Sequence, residues 1–103
     1  MKTNKIWTIK DKELLNLIIG RDGGNTTVKI IDQILECPQN ANQLSRILNL
    51  GYNTITHHVN IVNDHKYITK IKFDNVFYYY PSEKLLNNLY EYNIIKEYLK
   101  IKK

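Results

Sequence analysis

Cysteine is almost absent from this sequence, since Cys37 is the only one among 103 residues. A single cysteine excludes an intrachain disulfide and a cluster of thiolate metal ligands, and we interpret Cys37 as an inert, partly buried thiol before the turn at Pro38. No apolar run approaches the ~20 residues that span a bilayer. No apolar signal-peptide core follows Lys2 and Lys5. We therefore expect a soluble, cytoplasmic protein without a membrane partner.

The signatures of common enzyme classes are also missing. The sequence has no phosphate-binding loop, no dinucleotide-binding glycine fingerprint after a strand and no nucleophile elbow. The glycines of segment 20–24 fall between two predicted helices and suit a loop. His57, His58 and His65 are the only acid-base candidates, and neighbouring histidines on a helix diverge by about 100°, which disfavours a shared metal ion. We predict that the chain is not an enzyme and binds neither a cofactor nor a metal.

Positive charge is in excess, with a formal net charge of +5 and a pI near 9.3. This balance suits a polyanionic partner. Isoleucine, lysine and asparagine are all abundant, however, as expected of an AT-rich genome whatever the protein does. Whether the excess charge indicates a polyanionic partner therefore depends on where the basic residues lie.

Apolar residues recur every three or four positions in four segments before residue 65, and this spacing predicts amphipathic helices. The predicted helices span 9–19, from 25 or 26 to 36, 41–48, and from 52 or 53 to 64. Asn25 or Thr26 is expected to cap the second helix and Asn40 the third, because a side-chain oxygen can accept the free N–H groups of the first turn.

The hydrophobic period changes after residue 66. In segment 67–73 lysines alternate with apolar residues, as in a half-buried strand. Asp74-Asn75 suits a two-residue hairpin turn because both residues tolerate positive φ. The return strand 76–80 is rich in tyrosine, and the simplest interpretation is that one of its faces covers the core.

Ser82 is expected to cap a last helix over 82–102, unless Asn87-Asn88 splits it into two shorter helices. Its apolar residues form two neighbouring stripes, and one small domain cannot cover both. We expect one stripe to pack within the chain and the other on a partner subunit. The stripe that we assign to the dimer interface comprises Leu85, Leu89, Tyr92, Ile95 and Leu99. The second stripe comprises Leu86, Tyr90, Ile94, Tyr98 and Ile101.

The order of these elements predicts a mainly α fold with a small antiparallel β-hairpin, namely a winged helix-turn-helix with flanking N- and C-terminal helices. We expect one domain over 1–103, with a core at about 25–80 and terminal helices at about 9–19 and 82–102 that dimerise. Residues 38–68, PQNANQLSRILNLGYNTITHHVNIVNDHKYI, resemble the core of ArsR-like winged-helix regulators, in which a helix of the form Tyr-x-Thr-[Val/Ile]-x-His-His-[Leu/Val] is common. Residues 20–35, GRDGGNTTVKIIDQIL, are similar to the archaeal branch of that family.

This resemblance covers about residues 14 to 80 and implies a homodimeric, double-stranded DNA-binding transcriptional regulator. The chain departs from the family at Lys66, where members often have glycine after the recognition helix. A non-glycine residue in a left-handed conformation there costs on the order of 1 kcal/mol. The paired cysteines or His/Asp sets of metal-sensing members are missing, so nothing indicates metal sensing. No residue set identifies a small-molecule effector.

The resemblance places the helix over about 53–64 in the major groove, and helical geometry indicates which of its residues contact DNA. With Ile55 facing inward, 100° per residue puts Asn53, His57 and Asn60 near the opposite side. The residues expected to contact bases are Asn53, Thr54, Thr56, His57 and Asn60. His58 is directed towards the edge of the core, where we expect a packed, hydrogen-bonded histidine. We interpret His65 as a cation at the helix end or an ordinary surface residue.

The wing, over about 67–80, is expected on the DNA backbone or in the minor groove. The residues expected to contact phosphates are Arg46, Lys66, Lys70 and Lys72. Two subunits on half-sites about one helical turn apart would raise the affinity by avidity. The alternative is a winged-helix protein-interaction module without DNA affinity, for which the contiguous tyrosines 78–80 and Trp7 are candidate contacts. We prefer packing of the N-terminal arm on the dimer as the role of Trp7.

Overall fold

The computed structural model of the protein describes residues 2–102. Its helices and strands follow one another along the chain as a 3-10 helix Lys2–Thr8, α1 Lys12–Ile18, α2 Gly24–Glu36, β1 Gln39–Asn40, α3 Ala41–Leu48, α4 Tyr52–Asp64, β2 Ile68–Phe73, β3 Val76–Pro81, α5 Glu83–Asn87 and α6 Leu89–Lys102. The three strands form an antiparallel sheet in the order β1-β3-β2. Within this part of the chain, none of the helices has the length and hydrophobicity that a membrane span requires. The predicted mainly α, winged-helix architecture is confirmed.

The first two helices differ from their predicted bounds. Helix α1 begins only at Lys12, because the Asp11 carboxylate accepts the Leu14 N–H at 3.1 Å and caps it. Helix α2 begins at Gly24, so neither Asn25 nor Thr26 is its cap. The cap residue is Gly23, whose φ of 89° is left-handed. Glycine is needed at position 23 for a second reason, since a Cβ there would lie 2.8 Å from Cε1 of His58.

The helix-turn-helix follows the prediction closely. Asn40 caps α3 in a capping box, accepting the Gln43 N–H at 2.8 Å while the Gln43 side chain accepts the Asn40 N–H at 2.9 Å. Asn49 then turns the chain with a left-handed φ of 55°. Helix α4 starts directly after Gly51. One expectation next to this motif is wrong, because Cys37 is exposed rather than partly buried.

The chain leaves α4 through Lys66, which has a left-handed φ of 70°. Its N–H donates to the Asn63 carbonyl at 2.9 Å, and its own carbonyl accepts the Ser82 hydroxyl at 2.6 Å. The geometry that usually calls for glycine is therefore retained with a lysine in place.

The hairpin of β2 and β3, called the wing from here on, closes through Asp74 and Asn75 with φ values of 53° and 65°, as predicted for this two-residue turn. Strand β1, which the sequence did not predict, pairs with β3 at Gln39 and Asn40. The wing is also less buried than expected. Tyr79 enters the core, but the half of the wing near the turn projects from the body of the protein, and the apolar residues of segment 71–77 are exposed.

The C-terminal segment forms two helices rather than one, which confirms the alternative that Asn87-Asn88 divides it. The Asn88 N–H donates to the Leu85 carbonyl at 2.9 Å, an i→i−3 bond that ends α5. The Asn88 side chain donates to the Lys84 carbonyl at 2.8 Å. Helix α6 then restarts, and the Asn88 carbonyl accepts the Tyr92 N–H at 2.8 Å.

The stripe assigned to the dimer interface belongs instead to the core of the chain itself. Leu85, Tyr92 and Ile95 are fully buried and Leu99 is 9% exposed, while Leu89 is partly buried against the same core. The Tyr92 hydroxyl donates to an Asp32 carboxylate oxygen at 2.8 Å, which fixes this face of α6 on α2. Leu85, Tyr92 and Ile95 have no exposed surface and Leu99 has little, so the assignment of these four residues to the dimer interface is corrected. Leu89 is partly exposed, and its role in a dimer stays a prediction.

Helix α6 is also hydrogen-bonded to the beginning of the chain. The two carboxylate oxygens of Glu91 accept the backbone N–H groups of Lys10 and Asp11, each at 2.9 Å. The 3-10 helix packs along α6 as well. The first and last helical segments therefore form one layer beside the helix-turn-helix.

Candidate nucleic-acid interface

Helix α4 separates a buried apolar face from an exposed polar one. Ile55, Val59 and Val62 are all fully buried, which fixes the rotation of the helix on the core. The residues of the predicted base-contacting set that this rotation exposes are Asn53, Thr54, His57 and Asn60. Thr56 is half-buried, and its hydroxyl donates to the Asn53 carbonyl at 3.1 Å. The exposed face offers amide, hydroxyl and imidazole groups, which can pair with base edges.

His58 anchors α4 on the turn between α1 and α2, as a packed, hydrogen-bonded histidine. It is 8% exposed, and its Nδ1 lies 3.1 Å from the Thr27 hydroxyl and 3.4 Å from Nη2 of Arg21. A guanidinium only donates, so Nδ1 is an acceptor and the ring is neutral. Burial lowers the pKa of His58, and the nearby charges of Arg21 and His57 lower this pKa further.

The C-terminal end of α4 is held by charged groups. His65 Nδ1 lies 2.7 Å from one Glu13 carboxylate oxygen, and the Lys84 ammonium lies 2.7 Å from the other. The hydrogen bonds from Lys84 and His65 lower the pKa of Glu13. Lys84 also donates to the His65 carbonyl at 2.8 Å, a favourable contact for a cation at a helix C-terminus. The cation at the helix end is thus the Lys84 ammonium, next to the His65 side chain.

Tyr67, directly before β2, connects this end of α4 to α1. Its hydroxyl donates to both carboxylate oxygens of Asp11 at 2.8 and 2.9 Å. Burial and the hydrogen bond to Asp11 raise the pKa of Tyr67. The Lys84 ammonium lies 4.2 Å from the centre of its ring. These contacts hold the base of the wing in a fixed position relative to α4.

All four residues expected to contact phosphates are exposed, namely Arg46, Lys66, Lys70 and Lys72. Within residues 2–102, none of the four lies within 4 Å of an acidic group. The ammonium groups of Lys70 and Lys72 lie 4.7 and 5.9 Å from the centre of the Phe77 ring, on one face of the wing. Their charges remain accessible to an anionic partner.

A groove of about 250 Å³ that the sequence did not predict lies where the starts of α3 and α4 meet the wing. The groove is lined mainly by polar and aromatic side chains, including Asn42, Tyr52, Asn75, Phe77 and Tyr79. Burial raises the pKa of Tyr79, and Tyr52 raises this pKa further. Asn42 and Tyr52 lie in the first turns of α3 and α4. Polar side chains at the starts of two adjacent helices are the sequence signal from which these two residues could have been predicted to line the groove. The groove shows that the wing and the start of α4 flank one surface.

A second surface, formed by the 3-10 helix, α1 and α6, is apolar. Trp7 is 83% exposed and Tyr90 is 71% exposed. Trp7, Leu15, Ile19 and Tyr98 line a shallow cleft between these elements. The residues left outside the core on α6 thus belong to the second stripe.

In the part of the chain that the structure describes, no three His, Cys, Asp or Glu side chains are grouped as metal ligands. His57 and His58 do contact each other, with ring centres 5.4 Å apart, but they meet edge to face. Nδ1 of His58 is moreover already in contact with Thr27 and Arg21.

Solved structures with a similar fold come from several organisms. An ArsR-like transcriptional regulator from Rhodococcus sp. RHA1 matches with a TM-score of 0.62 at 16% identity, covering 90% of this chain and 83% of that one. HlyU from Vibrio cholerae matches with a TM-score of 0.57 at 17% identity, covering 80% of this chain and 98% of that one. A protein from the thermoacidophilic archaeon Sulfolobus tokodaii matches with a TM-score of 0.56 at 16% identity, covering 93% of this chain and 92% of that one.

No protein-family model matches the sequence, and no curated protein matches it either. Identities of 16–17% show the fold and nothing finer. The neighbours do not single out an archaeal branch, so that expectation stays a prediction. The chain has a winged-helix fold similar to that of an ArsR-like transcriptional regulator.

Proposed function

We propose that this chain is a sequence-specific, double-stranded DNA-binding transcriptional regulator that acts as a homodimer. The observation that best supports this proposal is the exposed, mostly uncharged polar face of α4, which lies beside a wing with accessible lysines. An α-helix fits the major groove, which is about 12 Å wide, and the adjacent wing then meets the backbone or minor groove. This arrangement supports a DNA-binding role and assigns no catalytic role to the three histidines.

The two kinds of DNA contact come from different elements. Asn53, Thr54, His57 and Asn60 would contact base edges from α4, and Thr56 would contribute its methyl group while its hydroxyl stays on the backbone. The cations Arg46, Lys66, Lys70 and Lys72 would contact phosphates. The bases contacted would set the sequence preference, whereas the cations would set affinity and salt dependence.

The dimer would form through the apolar surface of the 3-10 helix, α1 and α6. Trp7, Tyr90 and Ile101 are more than half exposed there, while Ile94 and Tyr98 are half-buried. This surface replaces the buried stripe as the proposed interface, and it gives Trp7 its role as part of the N-terminal arm packed on the dimer. A large exposed apolar patch commonly marks an association surface.

The first experiment measures fluorescence anisotropy of labelled duplexes with the full chain at two salt concentrations. We expect salt-sensitive binding to a random duplex and tighter binding to the region upstream of the protein's own coding sequence. Light scattering should give a dimer, and Tyr90→Glu with Ile94→Glu should give a monomer. Ile71→Glu, which places a glutamate on the wing instead, should leave the dimer intact.

One observation favours a second function, a protein-interaction module without DNA affinity. Phe73 and Phe77 on the wing are 70% and 43% exposed, and aromatic residues are enriched at protein interfaces. Retained dimerisation with no duplex binding at low salt would contradict the DNA proposal and favour this module. If the DNA proposal is correct, the purified chain alone binds the duplex without any added protein partner.

A further inference from the structure

The two faces of the wing differ in chemistry. Cross-strand partners share a face, so the pairs Ile71–Tyr78 and Phe73–Val76 lie on the same side of the wing. Phe73 is 70% exposed, Ile71 50% and Val76 39%. The Phe73 and Tyr78 rings meet edge to face with centres 6.5 Å apart. These four side chains form a continuous apolar strip that reaches the turn, which we call the outer wing face.

The opposite face carries the cations. Lys72 pairs with Phe77 across the strands, and Lys70 pairs with Tyr79. Both ammonium groups lie over the Phe77 ring. The end of the wing is thus a thin, two-stranded edge with apolar side chains on one side and accessible positive charge on the other.

Three features favour a DNA duplex as the partner of the wing tip, where the outer wing face meets the cationic face. Asn75 and Val76, at the tip of the wing, line the same groove as Tyr52 at the start of α4, so a duplex held on α4 would pass the tip. Segment 66–80 carries Lys66, Lys70 and Lys72 against Asp74 alone, which is complementary to a polyanion. The minor groove is about 6 Å wide, and the strands of some β-ribbon proteins enter it.

We propose that Phe73, supported by Val76, inserts into the minor groove as an apolar wedge that partly unstacks one base step and bends the duplex. This inference rests on the proposed DNA-binding function and assigns a role to a residue which the phosphate and base contacts leave unused. Apolar side chains inserted between base steps bend DNA by roughly 20–90°. The turn at Asp74 and Asn75, with φ values of 53° and 65°, holds Phe73 in its paired position at the tip.

The experiment uses the full chain and a duplex of the upstream region labelled at its two ends with a donor and an acceptor dye. Binding of the unmodified protein should raise energy transfer between the ends. Phe73→Ala should bind about tenfold more weakly and abolish the rise in energy transfer, because the unstacked step closes. Phe73→Leu, which keeps an apolar wedge, should retain most of the bend. Ile71→Ala is the matched control, since it removes an apolar side chain from the same face at a greater distance from the tip.

The outcomes separate this inference from the function on which it rests. Binding of the unmodified protein without any rise in energy transfer, or an equal rise with Phe73→Ala, overturns the wedge and leaves the DNA-binding proposal standing. Absence of binding to every duplex overturns both. A changed oligomeric state of Phe73→Ala with unchanged bending overturns the wedge and assigns the outer wing face to a second copy of the chain. Because Phe73 is mostly exposed, its variants should melt at the same temperature as the unmodified protein, which a thermal scan verifies.

Discussion

Removing the two wing lysines should halve the salt dependence of duplex binding. If Arg46, Lys66, Lys70 and Lys72 of both subunits contact phosphates, about eight phosphates are neutralised, and log K should fall with log salt at a slope of roughly −7. Lys70→Gln with Lys72→Gln removes about four of these contacts and leaves a slope of roughly −3.5. Between 50 and 200 mM salt, the affinity should then fall by about 10² instead of about 10⁴.

The assay is an anisotropy titration of one random duplex and one upstream duplex at a series of salt concentrations. Lys100→Gln is the control, because Lys100 is an exposed lysine on α6, far along the chain from the wing, whose removal changes the net charge but not the slope. Equal slopes for the unmodified protein and the double variant would refute the placement of the wing on the backbone. A loss of slope with Lys100→Gln would instead indicate that net charge alone drives binding.

Three further predictions concern single residues. Asn60→Ala should reduce discrimination between bases at one base pair by about tenfold and leave the salt slope unchanged, which competition titrations with substituted duplexes can measure. Uniformly weaker binding to all duplexes would contradict a base contact. Because the pKa of His58 is lowered in the folded chain, the unfolded chain binds more protons, and the free energy of unfolding should fall as the pH drops below about 6.5. Urea unfolding at pH 7.5 and 5.5 measures this loss. His58→Gln should lose the pH dependence in this window. Lys66→Gly should stabilise the chain by roughly 0.5–1 kcal/mol by relieving the left-handed φ of 70°, whereas Lys66→Ala should not, and no difference between the two in thermal melts would contradict the strain.

Features determined by short stretches of the chain were predictable from the sequence. The cap at Asn40 and the hairpin turn at Asp74-Asn75 depend on side chains and backbone within a few residues of one another. The exposed face of α4 follows from the same logic, because one buried position and a rotation of 100° per residue determine which side chains face outward. Four of the five expected base-contacting residues are accordingly exposed.

Features that depend on distant parts of the chain were not predictable. The two apolar stripes of the C-terminal segment have nearly the same composition. The stripe that contains Tyr92 packs in the core partly because Tyr92 forms a hydrogen bond to Asp32, sixty residues away. Strand β1 is only two residues long and has no period to detect. The groove beside Tyr52 likewise exists only because the wing folds back next to α3 and α4.

The hydrogen bonds of Glu91 have a consequence for the order in which this chain folds during synthesis. The partner of the Lys10 and Asp11 N–H groups, Glu91, follows only 81 and 80 residues later. While the ribosome is still producing α4 and the wing, the entry to α1 therefore lacks the carboxylate that completes it. The helix-turn-helix can form from local contacts before that point, but the backbone that enters α1 can complete these two hydrogen bonds only after α6 has left the exit tunnel. A chain ending after α5 would thus leave these two N–H groups without their partner, while Tyr67 and Lys84 still hold Asp11 and Glu13. Faster hydrogen exchange at Lys10 and Asp11 would report this loss.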